Sequence, residues 1–278
     1  MTKETRIDRR FAALKSEGRS GLVVFVTGGD PDIETSREIL LGLPGAGADL
    51  IEIGMPFSDP MADGPAIQVS SQRALARGHT MAQTLDLVRA LREKDADTPV
   101  VLMGYYNPIY IYGGDRFIKD ALDAGVDGLI MVDLPPEEQE EFSLPAIDAG
   151  LNMIYLAAPT TTDARLPAVV GHASGFLYFV SITGITGTRE VDADAVRGHV
   201  ERIRKSTDLP IAVGFGIKNA EQAKAIAGIA DAAVVGSAVV NVIAENLDEN
   251  GRPLAGLAEK VLGFVGELAA GVRAAKKD

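Results

Sequence analysis

Cysteine is absent from this chain of 278 residues. Its absence excludes disulfide bonds, thiolate nucleophiles, and zinc or iron–sulfur sites built on cysteine. The three histidines, His79, His172 and His199, stand neither at predicted strand ends nor at the spacing of metal ligands. We therefore expect each of them to be a surface or helix residue, and we expect no metal site. Serines and threonines of the predicted loops also lack a histidine partner, so a hydrolase triad is not supported.

The chain also lacks an excess of positive charge and any long apolar run. A formal net charge of −12 argues against nucleic acid or an anionic membrane as the main partner. The first residues are charged rather than apolar, which is unlike a signal peptide, and no apolar run approaches the roughly 20 residues that span a bilayer. No P-loop or dinucleotide fingerprint occurs, so no nucleotide cofactor is implied. The prediction is a cytoplasmic protein. A phosphorylated metabolite is compatible with it, because backbone N–H groups bind phosphate.

Eight short apolar runs recur along the chain, with helical patterns between them. Their nearly continuous apolar character is typical of parallel strands that are covered on both faces. The runs are residues 22–27, 50–54, 100–104, 128–132, 153–157, 177–181, 211–214 and 233–236. Since no Ser-, Gly- or Pro-rich linker separates the units, the order predicts an α/β protein with one (β/α)8 TIM barrel over residues 1–278. The rival fold is a doubly wound open sheet, which usually has fewer strands.

Two helices are predicted in addition to the eight units. Residues 4–16 form an extra N-terminal helix with Ile7, Phe11 and Leu14 on one face. A short helix over residues 238–245 follows the eighth strand directly. Residues that can open or cap helices predict further helix starts at Asp32, at Gly114-Asp115, at Asp163, at Asp192 or Asp194, and at Asn219.

The most informative stretch, residues 50–64, carries two carboxylates in different surroundings. Glu52 stands inside an apolar strand, where an unpaired charge is costly to bury. Strand alternation places it on the face of Leu50, toward the barrel interior, near the strand end where such barrels hold their active sites. A carboxyl there has a raised pKa and suits proton transfer. The alternative is that Glu52 pairs with a Lys or Arg inside the barrel.

Asp63 lies in the loop that follows the same strand, between Ala62 and Gly64. Two carboxylates in different surroundings can have different pKa values and different roles. The alternative for Asp63 is a turn residue whose side chain bonds its own backbone.

Glycines end the seventh and eighth predicted strands, in Gly214-Phe215-Gly216 and Gly236-Ser237. Barrels of this type often bind phosphate in these two loops and at the N-terminus of a short helix. We predict a phosphate site there, built from backbone N–H groups and the Ser237 hydroxyl. The alternative is that the glycines only permit tight turns.

Two other loops have unusual compositions. Residues 181–189 alternate glycine with threonine, which suits either a loop that closes over a ligand or a static connection. Four of the six tyrosines lie within residues 105–112. Tyr105 is placed to reach a ligand, while the remainder form a rim loop that either contacts another protein or packs against a helix.

Several motifs together carry a resemblance to one family. The longest is residues 50–68, and the others are residues 25–31, 103–108, 183–187, 214–216 and 236–238. With these motifs nearly the whole chain resembles the α subunit of tryptophan synthase. The resemblance implies a lyase that cleaves indole-3-glycerol phosphate to indole and glyceraldehyde 3-phosphate, in a retro-aldol reaction without metal or organic cofactor.

The resemblance also implies roles for individual residues. Glu52 is expected to protonate indole C3 and to help deprotonate the glycerol hydroxyl. Asp63 is expected to accept the indole N–H and to stabilise the positive charge that develops on the ring. Thr186, on a closing loop, is expected to reach Asp63. The remaining substrate contacts are Phe25, Tyr105 and Tyr178 for indole, and Gly187, Gly216, Gly236 and Ser237 for phosphate.

A partner is implied as well, namely a β subunit that carries pyridoxal phosphate and receives indole through a tunnel in an α2β2 heterotetramer. This chain itself is expected to carry no pyridoxal phosphate. The implied interface residues are Pro56, Asp59, Pro60, Asn107 and Pro135. Three other functions remain to be separated from this one: a non-catalytic activating subunit, a stand-alone indole-releasing lyase, and a barrel enzyme for another sugar phosphate.

Overall fold

The computed structural model describes residues 4–180, 193–214 and 216–276. In these ranges nine strands form one parallel sheet, in the order β5-β4-β3-β2-β1-β9-β8-β7-β6. Numbered along the chain, they are β1 Gly21–Thr27, β2 Leu50–Gly54, β3 Val100–Gly104, β4 Gly128–Met131, β5 Asn152–Met153, β6 Leu156–Ala157, β7 Leu177–Val180, β8 Ile211–Gly214 and β9 Ala232–Val235.

Helices connect most of these strands. They are α1 Arg6–Ser16, α2 Ile33–Ala46, α3 Pro65–Ala76, α4 Met81–Arg92, α5 Tyr106–Tyr112, α6 Gly114–Ala124, α7 Ser143–Ala149, α8 Leu166–Val170, α9 Ala193–Arg204, α10 Ala220–Ala227, α11 Ser237–Glu245 and α12 Leu257–Arg273, with a 3₁₀ turn at Pro136–Glu138. Among the described residues no helix is long and apolar enough to cross a membrane.

The fifth predicted strand is split into β5 and β6, and this segment closes the ring. β5 pairs with β4, and β6 pairs with β7. Between the two halves, the Ile154 N–H donates to the Leu129 carbonyl at 2.9 Å, and the Tyr155 carbonyl accepts from Tyr178 N–H at 3.1 Å. Main-chain pairing therefore continues on both sides of the split. The predicted (β/α)8 TIM barrel is confirmed.

Strand alternation produces two separate apolar layers. Side chains such as Val23, Leu50 and Val101 fill the barrel, while the intervening residues pack outward against the helices. Helix α1 closes the N-terminal end of the barrel, because Ile7, Phe11 and Leu14 belong to the inner layer. The extra N-terminal helix expected from the sequence is therefore present and begins at Arg6.

Three aspartates secure the N-terminal end of the sheet in the same way. Asp49, Asp127 and Asp231 stand just before β2, β4 and β9, and each carboxylate accepts an N–H from the first residues of another strand. The donors are Leu22 (2.9 Å), Val100 (2.8 Å) and Ile211 (2.9 Å). Each aspartate also forms an ion pair with an arginine, namely Arg19, Arg92 and Arg204. One carboxylate thus fixes a strand and a helix or loop at once.

Most of the predicted helix starts agree with the structure. Asp32 and Asn219 cap α2 and α10 by accepting from the N–H groups of Thr35 and Gln222. The start at Asp163 is wrong. Helix α8 begins at Leu166, because Asp163 instead accepts from Arg202 at 2.7 Å.

The tyrosine-rich rim is a helix rather than the expected loop. Residues Tyr106–Tyr112 form α5, and the Tyr106 N–H donates to Asp133 Oδ1 at 2.8 Å. Pro108 lies in the first turn, where a missing N–H breaks no helical hydrogen bond. The segment is therefore compatible with a helix despite its proline.

Replacing Asp127 is expected to destabilise the fold without affecting the opposite end of the barrel. Asp127→Ala leaves the Val100 N–H unsatisfied and leaves Arg6 and Arg92 without their shared carboxylate. We expect the free energy of unfolding in urea to fall by about 3 kcal/mol. An unchanged urea midpoint and slope would show that these contacts add nothing to stability.

Candidate active site

Glu52 is buried inside the barrel near the C-terminal end of β2. Its relative exposure is 1 %, and it shares the inner face with Leu50, as strand alternation predicts. Its Oε2 atom has no hydrogen-bond partner among the described residues, and no Lys or Arg of those ranges forms an ion pair with it. The alternative of a structural ion pair therefore finds no support. Burial raises the pKa of Glu52 to about 8, and the charge of Asp63 contributes to the rise.

Asp63 lies between β2 and α3, where main-chain contacts fix the loop. Its N–H donates to the Pro60 carbonyl at 3.1 Å, and its own carbonyl accepts from Gln68 Nε2 at 2.9 Å. Burial raises the pKa of Asp63 to about 6, while a hydrogen bond from the Tyr105 hydroxyl partly offsets this rise. The carboxylate is thus engaged by Tyr105, which differs from the alternative of a side chain bonded to its own turn.

Tyr105 connects the end of β3 to the loop that carries Asp63. Its ring is buried and lies 5.3 Å from the ring of Phe57, measured between centroids. Its hydroxyl oxygen accepts from the Ala62 N–H at 2.9 Å. Burial and the charge of Asp63 raise the pKa of Tyr105 to about 12. The hydroxyl therefore keeps its proton near neutral pH and can donate it in a hydrogen bond to Asp63.

Glycines at the strand ends make room for two other aromatic rings. A Cβ atom on Gly54 would come within 2.6 Å of Phe25 Cζ, and one on Gly214 within 2.6 Å of Tyr178 Oη. A Cβ atom on Gly236 would likewise lie 3.3 Å from Phe25 Cβ. Burial raises the pKa of Tyr178 well above its ordinary value, and the charge of Glu52 adds to the effect. These glycines therefore bring Phe25 and Tyr178 into the region of Glu52.

A cavity at the C-terminal end of the barrel brings several predicted residues together. Phe25, Asp63 and Tyr105 line it. Glu52 and Tyr178 are not part of this lining. The lining residues that sequence reasoning missed are Gly54, Met55, Ile67, Ser71, Met103, Gly104 and Val132.

Some of these missed lining residues could have been found from the sequence, and others could not. Met55, Met103 and Val132 stand at or just after the ends of β2, β3 and β4, so counting strand ends could have found them. Ile67 and Ser71 lie on α3, which the apolar pattern did not reveal. The lining is mostly apolar with one carboxylate, which is the composition typical of small-molecule sites.

The predicted phosphate residues lie at two neighbouring strand ends. Gly216 follows β8 and has a φ of +62°, and Gly236 follows β9. Helix α11 starts at Ser237, one residue before the predicted start, and no side chain caps it. Its first N–H groups therefore donate no hydrogen bond to an N-cap side chain. Thr186 and Gly187 lie outside the described residues.

His79 is buried, so the expectation of a surface or helix position is wrong for this histidine. Its Nε2 atom lies 2.8 Å from Thr84 Oγ1. A Cβ atom on Gly29 would come within 2.3 Å of its Nδ1 atom, so two consecutive glycines, Gly28 and Gly29, provide the space that the ring fills. Burial lowers the pKa of His79 to about 4, so the ring is neutral at pH 7. Among the described residues no group of His, Asp and Glu could hold a metal ion.

Glu52 makes the stability of the fold depend on pH. The pKa of Glu52 is about 8 in the folded protein, against an ordinary value of 4.5 in the unfolded chain. Its contribution to the free energy of unfolding is therefore complete below pH 4.5 and is lost as the pH rises through 8. Glu52→Gln removes this loss, so we expect about 5 kcal/mol more unfolding free energy than wild type at pH 9 and little difference at pH 4.5. Urea denaturation at both pH values measures this. Parallel pH curves for the two proteins would contradict it.

Comparisons with known proteins agree with this geometry. A family model described as tryptophan synthase alpha chain matches residues 11–271. The structure is similar to the tryptophan synthase alpha chain from Legionella pneumophila subsp. pneumophila, with 36% identity, 98% of both chains covered and a TM-score of 0.88. It is also similar to tryptophan synthase from M. tuberculosis, with 34% identity, 97% of this chain and 99% of that chain covered, and a TM-score of 0.85. The chain therefore belongs to the tryptophan synthase alpha chain family.

Proposed function

We propose that this chain uses Glu52 and Asp63 to cleave indole-3-glycerol phosphate, the lyase reaction of its family. The observation that carries the proposal is the buried Glu52 carboxyl, whose Oε2 has no hydrogen-bond partner among the described residues and which feels the charge of Asp63, a residue that lines the strand-end cavity with Phe25 and Tyr105. Burying such a group without a partner costs stability, and a role in proton transfer accounts for it.

The two raised pKa values assign the two carboxyls to different roles. Near pH 7 Glu52, with a pKa of about 8, holds its proton, whereas Asp63, with a pKa of about 6, is ionised. Glu52 transfers its proton to indole C3, and Asp63 accepts the ring N–H and stabilises the positive charge that results. The Glu52 carboxylate then takes the proton of the adjacent glycerol hydroxyl. The C–C bond breaks, its electron pair returns to the ring, and indole and the aldehyde form.

The other site residues bind and orient the substrate. We assign the indole ring to the region of Phe25, Tyr105 and Tyr178, whose faces suit a flat apolar ligand. The phosphate is assigned to the N–H groups near Gly216, Gly236 and Ser237, at the N-terminus of α11, which no N-cap side chain covers. The roles of Thr186 and Gly187 stay predictions.

The cavity also bears on the alternative functions. An enzyme for another sugar phosphate would not need an aromatic lining, and a non-catalytic subunit would not need a buried, unpaired Glu52. A stand-alone lyase would have the same residues, so only its activity with and without a partner separates it from the subunit.

Partnership with a β subunit follows from the family, and we assign the docking surface to the loops after β2, β3 and β4. These three strands are neighbours in the sheet. Three apolar side chains there are exposed, namely Met61 (85 %), Tyr110 (60 %) and Ile111 (77 %). The interface residues expected from the sequence follow the same three strands: Pro56, Asp59, Pro60, Asn107 and Pro135.

Such an exposed apolar patch beside the site suits a partner that receives the product. An α2β2 assembly with pyridoxal phosphate on the β subunit, and a cytoplasmic location, remain part of the proposal.

Glu52→Gln is expected to abolish most of the turnover. The amide cannot give its proton to C3 or take one from the hydroxyl, so we expect kcat to fall by about 10²–10⁴-fold with little change in KM. Indole release from indole-3-glycerol phosphate measures this, with and without a β subunit. Glu38→Gln, the same change on the exposed face of α2, is the control and should match wild type.

Three outcomes of this assay separate the functions. Release that rises with the β subunit and disappears in Glu52→Gln supports a catalytic α subunit. Equal release with and without the β subunit points to the stand-alone lyase. No release by wild type with a competent β subunit refutes the proposed reaction.

Tyr105→Phe is expected to shift the pH dependence of catalysis. The Tyr105 hydroxyl lowers the pKa of Asp63, so its loss raises that pKa above about 6. Because Asp63 acts in its ionised form, the acidic limb of the kcat profile should move to higher pH while the limb of Glu52 stays in place. Tyr112→Phe, which removes a hydroxyl bonded to Asp120, is the control. Identical profiles for all three proteins would contradict the role of Tyr105.

A further inference from the structure

Helix α3 begins two residues after Asp63, and contacts from its first turn fix the position of Asp63. Pro65 is its first residue, and the Gln68 side chain reaches back to donate to the Asp63 carbonyl at 2.9 Å. The N-cap, Gly64, offers no side chain to fix this end. The position of Asp63 therefore depends on where α3 itself is held.

The last turn of α3 is fixed by a buried ion pair to the loop after β1. Arg73 Nε lies 2.7 Å from Asp30 Oδ1, and Arg73 Nη2 lies 2.8 Å from Asp30 Oδ2. The Asp30 side chain is fully buried and that of Arg73 is 18 % exposed. One turn earlier, the hydroxyl oxygens of Ser70 and Thr27 lie 2.6 Å apart. Two contacts thus join α3 to the end of β1.

Strand β1 is the hydrogen-bonded neighbour of β2, which carries Glu52. In their register Phe25 lies opposite Glu52, and Thr27 lies opposite Gly54. The Arg73–Asp30 pair therefore fixes α3 relative to β1, which pairs with the strand that carries Glu52. Through α3, the position of Asp63 is fixed relative to the same two strands.

The ion pair is not explained by stability alone. Burial raises the pKa of Asp30 above its ordinary value, although Arg73 opposes the rise. Ionised Asp30 is therefore less favourable in the folded protein than in water, and buried ion pairs in general add little compared with apolar packing. What a bidentate pair adds is a fixed geometry.

We propose that Arg73 and Gln68 are positioning residues for Asp63. Arg73, bound to Asp30, fixes α3 against β1, and Gln68 fixes Asp63 to the start of α3, so that both carboxyls keep one separation. This inference rests on the proposed function, since it concerns the geometry of the same two carboxyls.

The test measures kcat, KM and unfolding free energy for Arg73→Lys, Arg73→Met, Asp30→Asn and the double variant Asp30→Asn/Arg73→Met, each in complex with a β subunit. We expect kcat to fall by about 10-fold in Arg73→Lys and by up to about 10²-fold in Arg73→Met, because a misplacement of about 1 Å has effects of this size. KM should change by less than about threefold. The double variant should lose no more kcat than Arg73→Met alone, since the pair acts as a unit.

Arg92→Lys is the matched control. Arg92 forms a comparably buried ion pair with Asp127 at 2.7 Å, but at the N-terminal end of the barrel. It should lose stability and keep the wild-type kcat. Wild-type kcat in folded Arg73 variants that have lost stability would overturn the inference and leave a purely structural ion pair.

Gln68→Ala tests the same inference if the Arg73 variants fail to fold, because it leaves the Arg73–Asp30 ion pair intact. We expect its kcat to fall about 10-fold with KM nearly unchanged. Wild-type kcat in Gln68→Ala would overturn the inference. Turnover by the wild type distinguishes a failure of the proposed function from a failure of this inference. If the proposed function is wrong, no protein releases indole. If only this inference is wrong, the wild type releases indole and the variants match its kcat.

Discussion

The buried carboxyl of Glu52 is the constraint on which the rest of the site depends. A carboxyl without a partner inside an apolar barrel is tolerated near neutral pH only in its protonated form. The barrel must therefore exclude water and cations around one end of β2 and still admit a substrate there. Aromatic rings fulfil both conditions, since Phe25 and Tyr178 are large and apolar and the adjacent glycines leave them space.

The second carboxyl is held by a different principle. Asp63 lies on a loop, so no strand register fixes it, and its place comes from Tyr105 on one side and α3 on the other. The hydroxyl of Tyr105 also lowers the pKa of Asp63, which at about 6 lies below the value of about 8 for Glu52. Burial is the main cause of the raised pKa of Glu52, whereas the pKa of Asp63 reflects both burial and the hydrogen bond from Tyr105. Because of this difference, Glu52 is protonated and Asp63 is ionised near pH 7.

Local patterns in the sequence predicted the strands, the helix α1 and the inward direction of Glu52, because all three follow from periodicity within a few residues. The split of the fifth strand, the helix at Tyr106–Tyr112 and the burial of His79 were missed. Each depends on distant partners: β4 and β7 for the split strand, Asp133 for the rim helix, and the pair Gly28-Gly29 for the histidine. The lining residues on α3 were missed for the same reason, since their helix is located by contacts to β1.

The split between β5 and β6 gives the barrel a seam. These two-residue strands are the ends of the strand order, whereas β2 and β1 occupy its middle. The part of the ring with the shortest ladders is therefore three strand positions from β2, which carries Glu52, and four positions from β1. A local opening of the barrel wall at Ile154 and Tyr155 would leave the catalytic strand β2 paired with both of its neighbours, β1 and β3, so the fold can open locally there without moving Glu52.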